Sequence, residues 1–182
     1  MKYDTLNVAL IPWINQENEN ATLKFLENCK ASVVGAHLEL AGFEMDRGLF
    51  CHDGMSPKHF ENFDMVLTGH FHTRSSKDNI HYLGAQMEFF WNDCGDNKYF
   101  HVLDTETREL TPVQNPIKIY EKIYYDHEQM GNFKFKDMRY LDNKFVKIIV
   151  VNKGDAYEFE RFVDRVQNCN IHELKIVEDF KD

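Results

Sequence analysis

Apolar residues along the chain gather into short runs divided by polar stretches. Leu6–Ile11 reads as a buried strand and is stopped by Pro12, which has no backbone N–H to continue a ladder. The polar stretch Asn15–Asn20 reads as a loop, and Ala21–Lys30, with Leu23, Phe25 and Leu26, as a short helix. Ser32–Ala36 is a second apolar run ending at His37, and Phe63–Thr68 a third ending at Gly69-His70. Ile80–Leu83 and Tyr99–Asp104 predict two more strands, with a hairpin turn at Thr105-Glu106-Thr107. The pattern changes near Pro112 and Pro116. Lys144–Val151 predicts a strong strand, Gly154-Asp155 a break with Asp155 as helix N-cap, and Ala156–Asn168 a helix whose Phe159, Phe162, Val163 and Val166 share one face. Glu173–Glu178 closes a β-α-β unit. The reading is a mixed α/β (α+β) chain, divided into 1–115 and 116–182.

Composition narrows this further. With 43% hydrophobic residues, 15 Phe and 8 Tyr in 182 residues, the chain has the material for a packed core. Its formal charge of -9, from 30 acidic and 21 basic residues, excludes a bulk electrostatic attraction to DNA. A nucleic-acid contact must then come from a local site, a metal or a partner. The four cysteines are scattered with no CxxC pair, which fits reduced thiols in a cytoplasmic setting. The opening residues lack a signal-peptide core, and no run of apolar residues is long enough to span a membrane.

Candidate chemistry sits where strands end. Side chains at the carboxyl ends of parallel strands converge on a crevice where ligands bind. His37 follows Val33-Val34-Gly35-Ala36, and His70 and His72 follow Asp64–Gly69. In an extended segment His70 and His72 project to one side, roughly 6.6 Å apart. That spacing suits one ion, or two ions about 3.5–4 Å apart. Gly69 removes bulk where the strand turns into the loop. Imidazole is a good ligand for Mn, Fe, Zn and Ni. Glu39, two residues after His37, is placed to hold an imidazole tautomer from behind. Arg74 and Lys77 lie in the loop after His72, as phosphate contacts or as solvated charges. Trp91 and Phe89-Phe90 either pack the sheet or stack on a base. His52, His59, His81, His101, His127 and His172 carry no comparable constellation.

The phrase Leu67-Thr68-Gly69-His70-Phe71-His72 resembles the GHxH signature of calcineurin-like metallophosphoesterases, and His37 the single-histidine motif that precedes it. Gly95–Asp104 is similar to the hairpin after that signature in SbcD-type double-strand-break repair nucleases. The run from Leu10 to Phe43 resembles the recombination nuclease subunits of T-even-type bacteriophages. The resemblance covers most of residues 5–110, and the β-α-β tail resembles the small capping domain of that family.

This resemblance implies half of a four-layer metallophosphoesterase β-sandwich with flanking helices, plus a capping domain. It implies a DNA exo/endonuclease activity in recombination and repair, using two Mn²⁺ ions that bridge an attacking hydroxide. His37 and His70 would bind one ion and His72 the other. It also implies an SbcC-type SMC ATPase partner, DNA, and the host cytoplasm. The family's DxH, GDxxD and GNHD motifs are absent from the chain. The bridging Asp, the Asn ligand and the catalytic His are therefore expected on a missing N-terminal half. Three imidazoles leave two dications without carboxylate neutralisation, so partial or no occupancy is expected on this chain alone. An exposed apolar strand edge is a liability for a solitary half-sheet, so the chain is expected to pair with such a half or with itself. A non-catalytic interaction module and a phosphoesterase for small substrates are the competing readings.

Overall fold

Central strands that are apolar on both faces need cover on both sides, and they set the order of the main sheet. The computed structural model describes residues 1–3, 6–46, 48–132 and 137–178. It divides into two units, Met1–Met87 with Asn97–Pro116, and Glu88–Asp96 with Ile117–Asp182.

The first unit holds β1 (Lys2–Tyr3), β2 (Leu6–Leu10), α1 (Glu19–Asn28), β3 (Val33–His37), β4 (Glu44–Asp46), β5 (Leu49–Phe50), β6 (Met65–Gly69), β7 (Ser75–Lys77), β8 (Ile80–Tyr82), β9 (Lys98–Leu103) and β10 (Leu110–Asn115). Six strands form one sheet in the order β1-β2-β3-β6-β8-β7. The inner four, β2, β3, β6 and β8, run parallel, and β1 and β7 close the two edges antiparallel. Val33, Val34 and Val66 are fully buried in the middle, as parallel strands require. α1 crosses from β2 to β3 and buries Thr22 and Leu26. A 3₁₀ turn at Pro57–Phe60, capped by the Ser56 hydroxyl, brings Phe60 into the core before β6. Leu38, Leu40, Phe43, Phe71 and Tyr82 complete that core. β1 pairs with Leu6 and Asn7, and Met1 carries the pairing on to Val8. Beyond it Leu10, 58% exposed, lies beside a groove lined also by Met1, Phe25 and Cys29.

β9 and β10 form a separate hairpin. Its turn is held by the Asp104 carboxylate, which accepts from the backbone N–H groups of Glu106 and Thr107. Those bonds favour the ionised form and hold the Asp104 carboxyl below its ordinary range.

The second unit is a three-stranded parallel sheet, β11 (Tyr120–Asp126), β12 (Phe145–Asn152) and β13 (Glu173–Glu178), with α2 (Ala156–Gln167) joining the last two. Asp155 caps α2 by accepting from the Glu158 N–H at 2.8 Å. Phe159, Phe162 and Val166 then pack on Tyr125, Val146, Ile148 and Val150. Glu88 belongs to this unit, and its side chain is almost wholly buried. Its carboxylate accepts from Gly95, Ile119 and Tyr120 N–H groups, which ties residues 88–96 to the start of β11. Among the described residues, no helix is long and apolar enough to cross a membrane.

Candidate functional site

The carboxyl ends of β2, β3 and β6 lie side by side, because these three strands are parallel neighbours. Each hands a ring to the same place. Trp13 follows β2, His37 ends β3, and His70 follows β6. The His37 and His70 rings meet edge to face with centroids 5.3 Å apart. The Trp13 ring lies 5.6 Å from His37 and 5.0 Å from His70, walling one side of the pair. A cleft of 250 Å³ opens beside them, lined by Trp13, His37, Glu39 and Asp53.

Gly69 makes this arrangement possible by leaving out bulk, as its place at the strand end suggests. It pairs with His37 across the β3–β6 ladder. A Cβ there would stand 2.9 Å from His37 Nδ1, too close for any side chain. The unusual backbone falls instead on His70, whose φ is 94°. Positive φ is uncommon for a residue with a Cβ, and such positions concentrate at functional sites. It also ends the strand at Gly69, so the alternation expected for His70 and His72 does not apply. His70 turns to His37 and Trp13 and touches Phe71 at 5.2 Å. His72 is near enough for its charge to act on His70, and its carbonyl accepts from Lys98 Nζ at 3.1 Å.

Glu39 reaches the cluster although β3 has already ended at His37. Its Oε2 is 3.7 Å from His70 Nε2, and its Oε1 lies 3.9 Å from the Cys51 thiol. The backbone on both sides of it is clamped. Thr68 Oγ1 accepts from Leu38 N–H at 2.9 Å. The Tyr82 hydroxyl donates to the Leu38 carbonyl at 2.9 Å and accepts from Leu40 N–H at 3.0 Å. Tyr82 is itself stacked on Phe71 at 4.6 Å, and burial pushes its phenol well up. Thr68, Tyr82 and Trp13 thus shape the site although the sequence reading gave none of them a role there.

Electrostatics favour neutral imidazole at the centre. Burial lowers the His70 pKa; Glu39 opposes this, and His37 and His72 add to the lowering. A neutral ring is the form that binds metal. Glu39 facing Nε2 favours a proton there and leaves Nδ1 as the free acceptor.

Arg74 is not among the groups that act on His70. It sits over the Tyr99 ring at 5.6 Å, and its charge acts on His81 and His101. Lys77 lies at the end of β7, on the sheet edge. Among the described residues, no set of three or more His, Cys, Asp and Glu side chains stands close enough together to hold a metal ion. The donor types that do meet, two imidazoles with one carboxylate at 3.7 Å from His70, are ones that divalent transition metals accept. They do not fit two ions, whose charge needs more anionic ligands than Glu39 supplies.

No family model matches the chain. It is 30% identical over 176 residues to Exonuclease subunit 1 of Enterobacteria phage T4, an alignment that takes in 96% of this chain and 49% of that protein. The chain is thus similar, almost throughout, to a bacteriophage exonuclease subunit, and spans about half the length of that curated relative.

Proposed function

We propose that the chain is the metal-binding half of a metallophosphoesterase-type DNA nuclease subunit, part of a multi-subunit complex that hydrolyses phosphodiester bonds. The observation that carries this reading is the meeting of His37 and His70 at the ends of adjacent parallel strands, 5.3 Å apart and backed by Glu39. The likeness to an exonuclease subunit supports the substrate class. In this reading the main sheet is part of a four-layer sandwich, 1–115 is the phosphoesterase portion and 116–182 the capping domain.

His37 and His70 would hold one ion, Mn²⁺ in this reading, and His72 would serve the second ion of a completed site. A bound ion there supplies Lewis acidity toward a phosphoryl oxygen. The chain's own residues do the rest of the local work. Glu39 fixes the His70 tautomer, Thr68 and Tyr82 keep Glu39 in place, and Trp13 excludes water from one side. The DxH, GDxxD and GNHD motifs are absent, so the remaining ligands and the leaving-group acid belong to a complementary half. An SMC-type ATPase is the partner proposed for the assembled nuclease.

The test is manganese-dependent degradation of double-stranded DNA by the chain, with and without a polypeptide carrying those motifs. The expected result is no activity alone and activity on mixing, lost on His70→Ala. Hydrolysis of a chromogenic phosphomonoester but not DNA would replace the nuclease reading. Inactivity in every combination would favour an interaction module.

A further inference from the structure

The second unit carries a charge pattern that its own packing does not explain. Three lysines stand directly opposite one another on three adjacent strands, Lys122 on β11, Lys147 on β12 and Lys175 on β13. With strands about 4.8 Å apart, the row spans roughly 9.6 Å. Like charges placed directly opposite in a sheet are destabilising. In a chain of net charge -9 such a row is not a by-product of composition.

The row lies on the sheet face turned away from α2. By alternation, Lys122, Lys147 and Lys175 point opposite to Ile123, Val146 and Ile148, which are buried against the helix. The groups whose charge acts on Lys147 are Lys122 and Lys175, both of like sign, and the Cys94 thiol. Lys147 Nζ sits 4.2 Å from the centre of the Trp91 ring. Lys175 lies 3.5 Å from Glu173, a pair half open to solvent.

The neighbouring rows on the same face are aromatic and apolar except at Glu173, which completes the Tyr120–Phe145 row and is the partner of Lys175. On one side Tyr120 stacks on Phe145 at 5.3 Å, with Trp91 edge-on to Tyr120 at 4.8 Å. On the other side Tyr124, Ile149 and Val177 are aligned in register. Tyr124 is 62% exposed and Val177 45%. An anionic ligand that also presents flat apolar groups matches both features. Single-stranded nucleic acid has that chemistry, with phosphates for the lysines and bases for the exposed ring. Open sheet faces with aromatic side chains read unpaired bases, whereas duplexes hide them. An acidic peptide would use the lysines and leave the Tyr124 row without a role.

The geometry points to the face of the second sheet turned away from α2, in the part that Trp91 leaves uncovered, as a binding surface for single-stranded nucleic acid, with phosphates along Lys122–Lys147–Lys175 and a base on Tyr124. It uses no residue of the histidine cluster and needs no metal.

The experiment is fluorescence anisotropy of a labelled oligothymidylate with the full chain, at low salt in EDTA. A variant carrying Lys122→Gln, Lys147→Gln and Lys175→Gln should bind at least tenfold more weakly. Its salt slope should fall by about 2, from roughly 0.7 per neutralised phosphate on a single strand. Tyr124→Ala should weaken binding about tenfold and leave the salt slope unchanged, and it keeps the idea testable should the triple variant misfold. His37→Ala with His70→Ala should bind like the parent, so failure of the nuclease reading leaves this result standing. The proposal is overturned by absence of binding in the parent chain, by unchanged binding in the lysine and Tyr124 variants, or by polyglutamate competing as well as unlabelled oligothymidylate.

Discussion

At the residue scale the site depends on His37 and His70 having room to meet. Gly69→Ala places a methyl group against His37 Nδ1. We expect it to cost about 1–3 kcal/mol of stability, as overpacking does, and to weaken Mn²⁺ binding at least tenfold. Thermal melts and a Mn²⁺ titration check both. Burial, first among the causes, lowers the pKa of His70, His81 and His101 below the ordinary 6.5. The unfolded chain therefore binds these protons more readily than the folded one. Their contribution to stability is present above pH about 6.5 and is lost as pH falls through the lowered folded values. Urea midpoints from pH 8 downward should hold and then decline in that window, and His81→Gln with His101→Gln should flatten the decline. A midpoint that rises on acidification would contradict these assignments. The histidines were legible in the sequence because each closes an apolar run. That Gly69 leaves out bulk was legible too, but not that the bulk would fall on His37, which is a cross-strand contact. Nor was it legible that Glu39 faces His70, because the strand that alternation relied on stops two residues earlier.

At the element scale, runs with one consistent period were readable. β2, β3, β6, β8, β12 and α2 fall close to where the apolar pattern puts them, and Asp155 caps α2 as its position before the helix predicts. Asp155→Ala should cost about 1 kcal/mol, seen as a lower urea midpoint. β11 escaped the reading because Tyr120–Asp126 mixes Glu121, Lys122 and Asp126 with its two inward residues, Ile123 and Tyr125. β1, β4, β5 and β7 are two or three residues long, too short to show any period. The place of residues 88–96 in the second unit depends on Glu88, a buried carboxylate whose partners are backbone groups some thirty residues away. Composition carries no trace of such a bond. Tyr82→Phe removes the hydroxyl that bridges Leu38 and Leu40, and leaves a buried carbonyl and N–H unpaired. We expect a loss of about 1–3 kcal/mol and a less ordered Glu39, read as weaker Mn²⁺ binding in the variant.

At the scale of the whole molecule, net charge and local charge point in different directions. A chain of -9 does not attract DNA as a body. On the proposed reading, contact with a polyanion is local, at the His37–His70 cluster or along the lysine row of the second sheet. The direct measurement is a Mn²⁺ titration of the purified chain, followed by the resonance signal of the free aqueous ion. The account predicts no more than one ion per chain, bound weakly and lost in His37→Ala and in His70→Ala. Two ions per chain, or binding that survives both substitutions, would contradict it.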